Sequence, residues 1–322
     1  MITDFGTLKD GRTVRKITLS SGDLTVAILT FGAIVQDVRL AGIDRSLTLG
    51  SDTLADYETA MPYHGSLIGP IANRISNARV RIDGMAYELE RNQDGRVHLH
   101  SGAEGTQFQI WDIAEASGDS VTLTLTLPDG ICGLPGHRQM TARFSIIPPA
   151  TLTLDITGTT DAATLMNFAN HSYWNLDGTD RYDGHRLWID ADDYLPTDDD
   201  ICPTGEIAPV DGTTKDFRAA RAIMSESLDL DTNFCTAPTD QPIRDVLRLT
   251  GTSGVTMTLA TTCPGVQIYD GRNGKRTGRG TFEGIAIEAQ HWPDAPNNRA
   301  FPSIKVTPDR PYRQTTHWTF TA

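Results

Sequence analysis

Cysteine is scarce in this chain of 322 residues. The four cysteines lie far apart and form no C-x-x-C pair, which excludes a zinc ribbon and a thioredoxin-type motif. They are Cys132, Cys202, Cys235 and Cys263. We predict that all four are reduced thiols, as is typical of a cytoplasmic protein.

Long apolar runs are also missing. No stretch of about 18 apolar residues, the length needed to span a bilayer, occurs in the chain. The first residues, MITDFGTLKDGRTVRK, carry neither the apolar core nor the cleavage-site pattern of a secretory signal. We therefore expect a soluble, cytoplasmic protein.

Basic residues are in the minority. Lys and Arg together number 28 against 41 Asp and Glu, which gives a formal net charge of −13. That charge repels nucleic-acid phosphates and anionic lipids. We expect no nucleic-acid or membrane partner, and a neutral or cationic small ligand fits the composition better.

Helical periodicity is nearly absent, whereas apolar and polar residues alternate along the whole chain. In SVTLTLTL (120–127) the valine and leucines point to one face of a strand and the threonines to the other. TLTLDITGT (151–159) repeats this pattern. Further β-rich runs cover residues 24–40, 79–90, 255–261, 284–290 and 303–308. Only residues 53–60 and 217–228 are compatible with a short helix.

The chain shows no internal repeat and no change in composition that would mark a linker. Many strands joined by loops predict one large all-β sandwich or barrel, a single domain spanning residues 1–322. The longest irregular stretch, residues 190–218, holds nine acidic residues and three prolines. Because it has no alternating-oxygen calcium loop, we predict a solvated surface loop there.

His98 and His100 lie two residues apart in VHLHSG. On a strand they would share one face and could both reach one metal ion. No third ligand follows at a diagnostic spacing. We therefore predict one functional imidazole with a structural neighbour, and no metal site.

Other polar residues stand in apolar surroundings. Arg74, in GPIANRISNARV (69–80), is either a surface residue or a hydrogen-bond donor held toward a ligand. If GIAIEAQ (284–290) is a strand, Glu288 shares a face with small residues that leave room for a ligand. A solvent-facing glutamate explains that pattern equally well. His171, in NFANHSYWNLDG (167–178), is either catalytic or a structural histidine bonded to the backbone.

Taken together and in this order, six motifs resemble those of the aldose 1-epimerases, also called galactose mutarotases. They are Asn-Arg-Ile (73–75), Leu-His-Ser-Gly (99–102), Asn-His-Ser-Tyr-Trp-Asn-Leu (170–176), Leu-Asp-Thr-Asn-Phe (230–234), Gly-Val-Gln-Ile-Tyr (265–269) and Glu-Ala-Gln-His-Trp-Pro-Asp-Ala (288–295). The resemblance runs from about residue 5 to the end of the chain. It implies a β-supersandwich that holds a sugar in an open cleft.

The resemblance also implies residue roles. Glu288 would be the general base and His171 the general acid. The sugar-binding positions would be Arg74, His100, Asp231 and Gln267, with Asn73 supporting Arg74. The substrate would be a free aldose, either a hexose or a pentose, and the protein would be a monomer or a homodimer.

The chemistry agrees with these roles. Interconversion of anomers requires removal of the C1 hydroxyl proton and protonation of the ring oxygen, so one carboxylate and one imidazole suffice. We expect them on opposite sides of the acetal centre, and we expect no metal, nucleotide or redox cofactor. We also expect His171 to carry a proton near neutral pH, oriented and shielded by the amides and aromatic rings around it.

The chain departs from the common family pattern at three places. Pro70 stands where many members have arginine, Ser101 replaces a glycine, and Trp174 and Trp292 replace smaller aromatic residues. These changes leave the preferred sugar open.

Three other functions compete with mutarotation. The first is a non-catalytic carbohydrate-binding or sugar-sensing protein on the same scaffold. The second is a glycosidase that uses Glu288 and Asp231 as carboxylates about 5–10 Å apart. The third is a phosphosugar epimerase, which the net charge and the lack of a local Arg/Lys cluster disfavour.

Overall fold

The computed structural model describes all residues from Met1 to Ala322 and consists almost entirely of β-strands. In chain order the strands are β1 Ile2–Thr7, β2 Thr13–Ser21, β3 Leu24–Leu29, β4 Ile34–Leu40, β5 Leu67–Ile68, β6 Arg74–Ile75, β7 Arg79–Ile82, β8 Met85–Glu88, β9 His98–Leu99, β10 Asp112–Ala116, β11 Ser120–Leu127, β12 Arg138–Ile147, β13 Thr151–Thr160, β14 Thr164–Leu165, β15 Ala169–Asn170, β16 Tyr173–Trp174, β17 Arg186–Ile189, β18 Asp193–Tyr194, β19 Ala208–Pro209, β20 Arg221–Ala222, β21 Asp231–Cys235, β22 Arg244–Thr250, β23 Thr256–Thr261, β24 Gly265–Tyr269, β25 Ile285–Gln290, β26 Lys305–Val306 and β27 Tyr312–Thr321.

Helices are few and short. The one α-helix, α1, covers Leu54–Tyr57. Single 3₁₀ turns cover Ser76–Ala78, Gly102–Glu104, Thr106–Phe108, Ile131–Gly133 and Ala295–Asn297. None of these helices has the length and apolar character needed to cross a membrane.

Three antiparallel sheets make up most of the fold. The largest has nine strands in the order β10-β11-β12-β13-β27-β23-β22-β17-β20. A six-stranded sheet has the order β16-β25-β24-β21-β18-β19, and a four-stranded sheet has the order β1-β2-β3-β4. The last strand of the chain lies at the centre of the largest sheet, between β13 and β23.

The alternating segments form strands, and their apolar faces meet in the core. Val121, Leu123 and Leu127 of β11 are buried, as the alternation predicted. Residues from all three sheets share one cluster of 53 buried side chains, from Ile17 to Phe320. Burying a large aliphatic or aromatic side chain stabilises the fold by about 1.5–3 kcal/mol. The all-β prediction is confirmed, and the core gives the six-stranded sheet a rigid backing.

Strand β25 is buried on both faces. Ile285, Ile287 and Ala289 join the main core, as the predicted alternation requires. Ala286 and Glu288 lie on the other face, where Ala286 packs with a small cluster that includes Tyr173. The solvent-facing interpretation of Glu288 is therefore wrong, since this residue is 1% exposed.

One of the two expected helices forms. Residues 53–60 contain α1, but the expectation of a helix at 217–228 is wrong. There Arg221 and Ala222 form β20, which pairs with β17 at the edge of the largest sheet. The Arg221 guanidinium lies over the buried Phe217 ring, 4.1 Å from its centroid, and donates to the Asp216 carbonyl. Sheet pairing and burial override the local helix propensity.

The acidic stretch at 190–218 is more ordered than a solvated loop. Strands β18 and β19 add it to the edge of the six-stranded sheet, where Tyr194 pairs with Phe234 of β21. Four residues of this stretch line the cleft described below, namely Thr197, Asp198, Ile201 and Lys215.

Candidate active site

A cleft of about 720 Å³ opens beside the six-stranded sheet. Its walls bring together six of the seven residues singled out from the sequence, which are spread over more than 200 positions of the chain. They are Asn73, Arg74, His100, His171, Asp231 and Glu288. The seventh, Gln267, is buried behind Asp231 and donates to its Oδ1 at 2.6 Å.

Glu288 and His171 form the buried centre of the cleft. The Glu288 Oε1 and His171 Nε2 atoms are 3.5 Å apart. This distance is too short for a sugar ring to lie between them, so the expectation that they flank the acetal centre is wrong. They lie side by side and can address the two oxygens of one anomeric carbon from the same side.

Burial shifts the pKa values of Glu288 and His171 in the directions that favour the neutral form of each group. Desolvation, with repulsion from Asp231, raises the pKa of Glu288 well above its ordinary range, against an opposing effect of Arg74. Desolvation lowers the pKa of His171 to about 4. Glu288 therefore has the higher pKa of the two, which reverses the usual order of a carboxyl group and an imidazole. A single proton held by the pair rests on Glu288. This lowered pKa of His171 is contrary to the expectation that His171 carries a proton near neutral pH.

The position of His171 is fixed by the chain around residues 65–66. The His171 N–H donates to the Ser66 carbonyl at 2.9 Å, and its own carbonyl accepts from the Gly65 N–H at 3.0 Å. The Asn170 amide donates to the Gly65 carbonyl at 2.8 Å. The Asn170 side chain thus fixes the backbone that carries the imidazole. The Tyr63 ring stacks on the His171 imidazole, with ring centroids 5.9 Å apart.

Arg74 is held toward the cleft and is not a surface residue. Its Nη1 lies 3.4 Å from Asp231 Oδ2, and its Nε donates to Gln93 Oε1 at 2.9 Å. The side chain is only 11% exposed. Because Asp231 also accepts from Gln267, two donors orient this carboxylate, and its remaining lone pairs can accept from sugar hydroxyls.

His100 and Asn73 hold each other in place. The His100 Nδ1 accepts the Asn73 N–H at 3.1 Å, so a neutral His100 carries its proton on Nε2. The Asn73 side-chain oxygen accepts the Arg74 N–H at 2.9 Å, which agrees with a supporting role. Burial holds the pKa of His100 well below its usual range, and the ring is a neutral hydrogen-bond donor.

His98 and His100 do not share a strand face. Strand β9 ends at Leu99, and His100 has a left-handed backbone with φ 50°. The His98 Nδ1 contacts the Glu90 carbonyl oxygen at 2.8 Å, away from the cleft. The pattern of one functional and one structural imidazole therefore fits the structure.

The segment 69–74 is anchored by two close contacts. A Cβ on Gly69 would lie 2.1 Å from the Phe168 ring, so only glycine allows this packing. The Ser101 hydroxyl accepts the Ile71 N–H at 2.7 Å and donates to the Ile71 carbonyl at 3.1 Å. The serine that departs from the family pattern thus fastens the segment that carries Asn73 and Arg74.

We expect Gly69→Ala to destabilise the protein by about 1–3 kcal/mol, because the added methyl group overpacks the Phe168 contact. The free energy of unfolding in urea measures this loss. Gly118→Ala is a matched control, since nothing lies within 4 Å of a Cβ there. Equal stability of the two variants would contradict this account of the segment.

The two tryptophans that depart from the family pattern lie away from the cleft. Trp174 is 1% exposed and packs against Trp318 and Phe320 in the main core. Trp292 packs edge-on against Phe301, with ring centroids 5.2 Å apart. Neither tryptophan lines the cleft.

Several cleft residues were not identified from the sequence. They include Tyr63, His64, Lys215 and Arg272. The Lys215 Nζ donates to Thr232 Oγ1 at 2.9 Å, and Arg272 pairs with Asp229 and Asp270. No local motif marked these residues, because loop folding brings them to the cleft. Three basic side chains thus line the cleft, contrary to the expected lack of a cluster, but each is already bonded to protein acceptors.

Comparison with known proteins agrees with this geometry. The family model described as "Aldose 1-epimerase" matches residues 15–319. The galactose mutarotase of Homo sapiens is 32% identical over 334 residues, covering 98% of this chain and 97% of the human protein. The aldose 1-epimerase of Escherichia coli (strain K12) is 30% identical over 338 residues, covering 97% of each chain.

Solved structures show the same fold. An aldose epimerase homologue from C. elegans superposes with a TM-score of 0.88 at 27% identity, covering 95% of this chain and 98% of that one. A galactose 1-epimerase from Lactobacillus acidophilus NCFM has a TM-score of 0.87 at 26% identity, covering 100% of this chain and 98% of that one.

Proposed function

The chain belongs to the aldose 1-epimerase family, and we propose that Glu288 and His171 catalyse its mutarotase reaction on a free aldose. The reaction interconverts the α and β anomers through the open-chain aldehyde. The observation that carries this assignment is the buried carboxylate–imidazole pair, 3.5 Å apart in a cleft of about 720 Å³.

Ring opening transfers two protons. The Glu288 carboxylate takes the C1 hydroxyl proton while the O–H electron pair forms the aldehyde C=O bond. The bond from C1 to the ring oxygen breaks, and that oxygen takes a proton from His171 Nε2. After rotation about the C1–C2 bond, the reverse transfers close the ring on the other face. The pair lies on one side of C1, so each group reaches one of its two oxygens.

The pKa directions bear on where the proton of the pair lies before and after ring opening. Once the ring has opened, Glu288 is protonated and His171 is neutral. Burial favours this same pair of neutral forms. The reactive form, with Glu288 ionised and His171 protonated, arises when the proton passes from Glu288 to His171, and ring opening removes this charge separation again.

Arg74, His100 and Asp231 bind the sugar hydroxyls in this proposal. Arg74 offers guanidinium donors, His100 offers its Nε2–H, and Asp231 offers carboxylate acceptors. Gln267 acts through Asp231, since it lies behind that carboxylate. Asn73 acts by fixing Arg74 and His100.

Two of the competing functions are disfavoured by contacts in the cleft. A glycosidase would use Glu288 and Asp231 as its carboxylate pair, but Glu288 Oε1 lies 3.5 Å from His171 Nε2, and Asp231 is already engaged by Gln267 and Arg74. A phosphosugar enzyme needs free cationic donors, but Lys215 and Arg272 are bonded to protein acceptors. A non-catalytic sugar sensor would have no need for a buried acid–base pair.

Further proposals concern the chain as a whole. We infer a single domain over residues 1–322, because the main core draws on strands from β2 to β27. We further propose a cytoplasmic enzyme, monomeric or homodimeric, that takes a hexose or a pentose.

Polarimetry of freshly dissolved α-D-glucose, α-D-galactose and several pentoses tests the function directly. We expect a faster approach to an unchanged final rotation with at least one of these sugars. If no sugar in the panel is accelerated, although calorimetry detects sugar binding, the non-catalytic alternative is correct.

We expect Arg74→Ala to raise KM and to lower kcat. The change removes donors to the sugar and leaves Asp231 with one fewer partner in a largely buried site. Loss of a charged hydrogen bond weakens binding by about tenfold or more. Initial-rate polarimetry over a range of sugar concentrations separates the two constants, and Arg143→Ala on the exposed part of β12 is the control. Unchanged KM would contradict a sugar-binding role for Arg74.

A further inference from the structure

His64 is a buried histidine in the cleft that the mechanism above does not use. It lines the cleft but is only 4% exposed. Its Nδ1 atom is enclosed and has no hydrogen-bond partner. The other ring nitrogen, Nε2, is not enclosed in this way, so it is the nitrogen that a ligand in the cleft can reach.

The orientation of His64 is set by an aromatic neighbour. Its imidazole stacks on the Tyr173 ring with centroids 4.2 Å apart and planes inclined by 21°. Tyr173 in turn lies beside His171, with ring centroids 5.1 Å apart. Tyr173 thus contacts both imidazoles, and all three rings line the same cleft as Glu288.

Electrostatics keep this ring neutral. Burial, reinforced by His171 and Arg276, lowers the pKa of His64 to about 3. A neutral imidazole offers one N–H donor and one nitrogen acceptor. That combination matches a hydroxyl group, which can accept and donate, whereas a carboxylate or a phosphate would require a cation.

We propose that His64 is a specificity-determining residue that binds a sugar hydroxyl remote from C1. This inference rests on the proposed function, because it assumes that an aldose occupies the cleft with C1 at Glu288 and His171. The hydroxyl would pair with a His64 ring nitrogen while Tyr173 holds the ring in place. His64 therefore selects among aldoses that differ in one hydroxyl.

The test compares His64→Phe with His64→Gln. Phenylalanine keeps the stacking on Tyr173 and removes the hydrogen bond, whereas glutamine keeps an amide near the Nε2 position. Binding of D-glucose and of its 2-, 3-, 4- and 6-deoxy analogues is measured by calorimetry in the Glu288→Gln background, where turnover is blocked. With Glu288 intact, kcat and KM of the wild type and of both His64 variants are measured by polarimetry for the same sugars, and thermal unfolding of each variant reports on folding.

We expect His64→Phe to weaken D-glucose binding by about tenfold, with KM raised and kcat largely unchanged. One deoxy analogue lacks the hydroxyl that His64 contacts. For that analogue, the dissociation constants of the Glu288→Gln protein with and without His64→Phe should be equal. His64→Gln should recover part of the affinity. His137→Phe, at an exposed position, should change nothing.

Two results overturn the proposal. An equal loss with all five sugars would show that His64 only supports the fold of the cleft, and no loss with any sugar would show that it contacts none. Failure of the proposed function gives a different result, since the protein with His64 and Glu288 in place would then accelerate the mutarotation of none of the five sugars.

Discussion

Glu288→Gln is expected to lower kcat by about 10²–10⁴-fold, the contribution of a positioned acid–base group. The amide has the shape of the carboxyl group but cannot take the C1 hydroxyl proton. Sugar affinity should stay close to that of the wild type, because Arg74, His100 and Asp231 are untouched. Polarimetry gives the rate, and calorimetry gives the dissociation constant of the same sugar.

Two comparisons make this result specific. Glu115→Gln changes the same residue type at an exposed position of β10 and should have the wild-type rate. The Glu288→Gln protein should unfold at a temperature no lower than the wild type, since the substitution removes a buried acid whose pKa is strongly raised. Near-normal turnover in Glu288→Gln would remove Glu288 from the mechanism.

Much of this site could be predicted from local sequence. The alternation in GIAIEAQ placed Glu288 opposite three core residues, and β25 has that arrangement. The polar residues in NFANHSYW and IANRIS marked His171 and Arg74 as candidates beside structural alternatives, the family resemblance selected them, and both line the cleft. These predictions succeeded because strand alternation and short motifs are local properties, which a tightly paired sheet preserves.

The relations between these residues could not be predicted from the sequence. The side-by-side placement of Glu288 and His171 depends on the pairing of β16 with β25, and of residues 65–66 with 171. The reversed pKa order of Glu288 and His171 depends on their burial by several segments of the folded chain. No single segment of the sequence determines that burial. His64 and Lys215 were missed for the same reason.

His171→Asn is expected to lower kcat by about 10²–10⁴-fold as well, because no other group replaces its Nε2 beside Glu288. The pH dependence should also change. In the wild type the pair must hold one proton, so kcat/KM falls at low pH, where a second proton binds, and at high pH, where the last is lost. In His171→Asn the residual rate requires only the ionised Glu288. It should therefore rise with pH through a pKa above the ordinary carboxyl range and then stay level.

The double variant tests whether the two groups act as one unit. If the proton that leaves C1–OH and the proton that reaches the ring oxygen move in one coupled step, removing either partner removes most of the benefit. Glu288→Gln with His171→Asn should then be about as slow as the slower single variant, far from the product of the two effects. Multiplied losses would show instead that each group contributes independently. Such a result would contradict the single shared proton that the 3.5 Å contact and the reversed pKa order indicate.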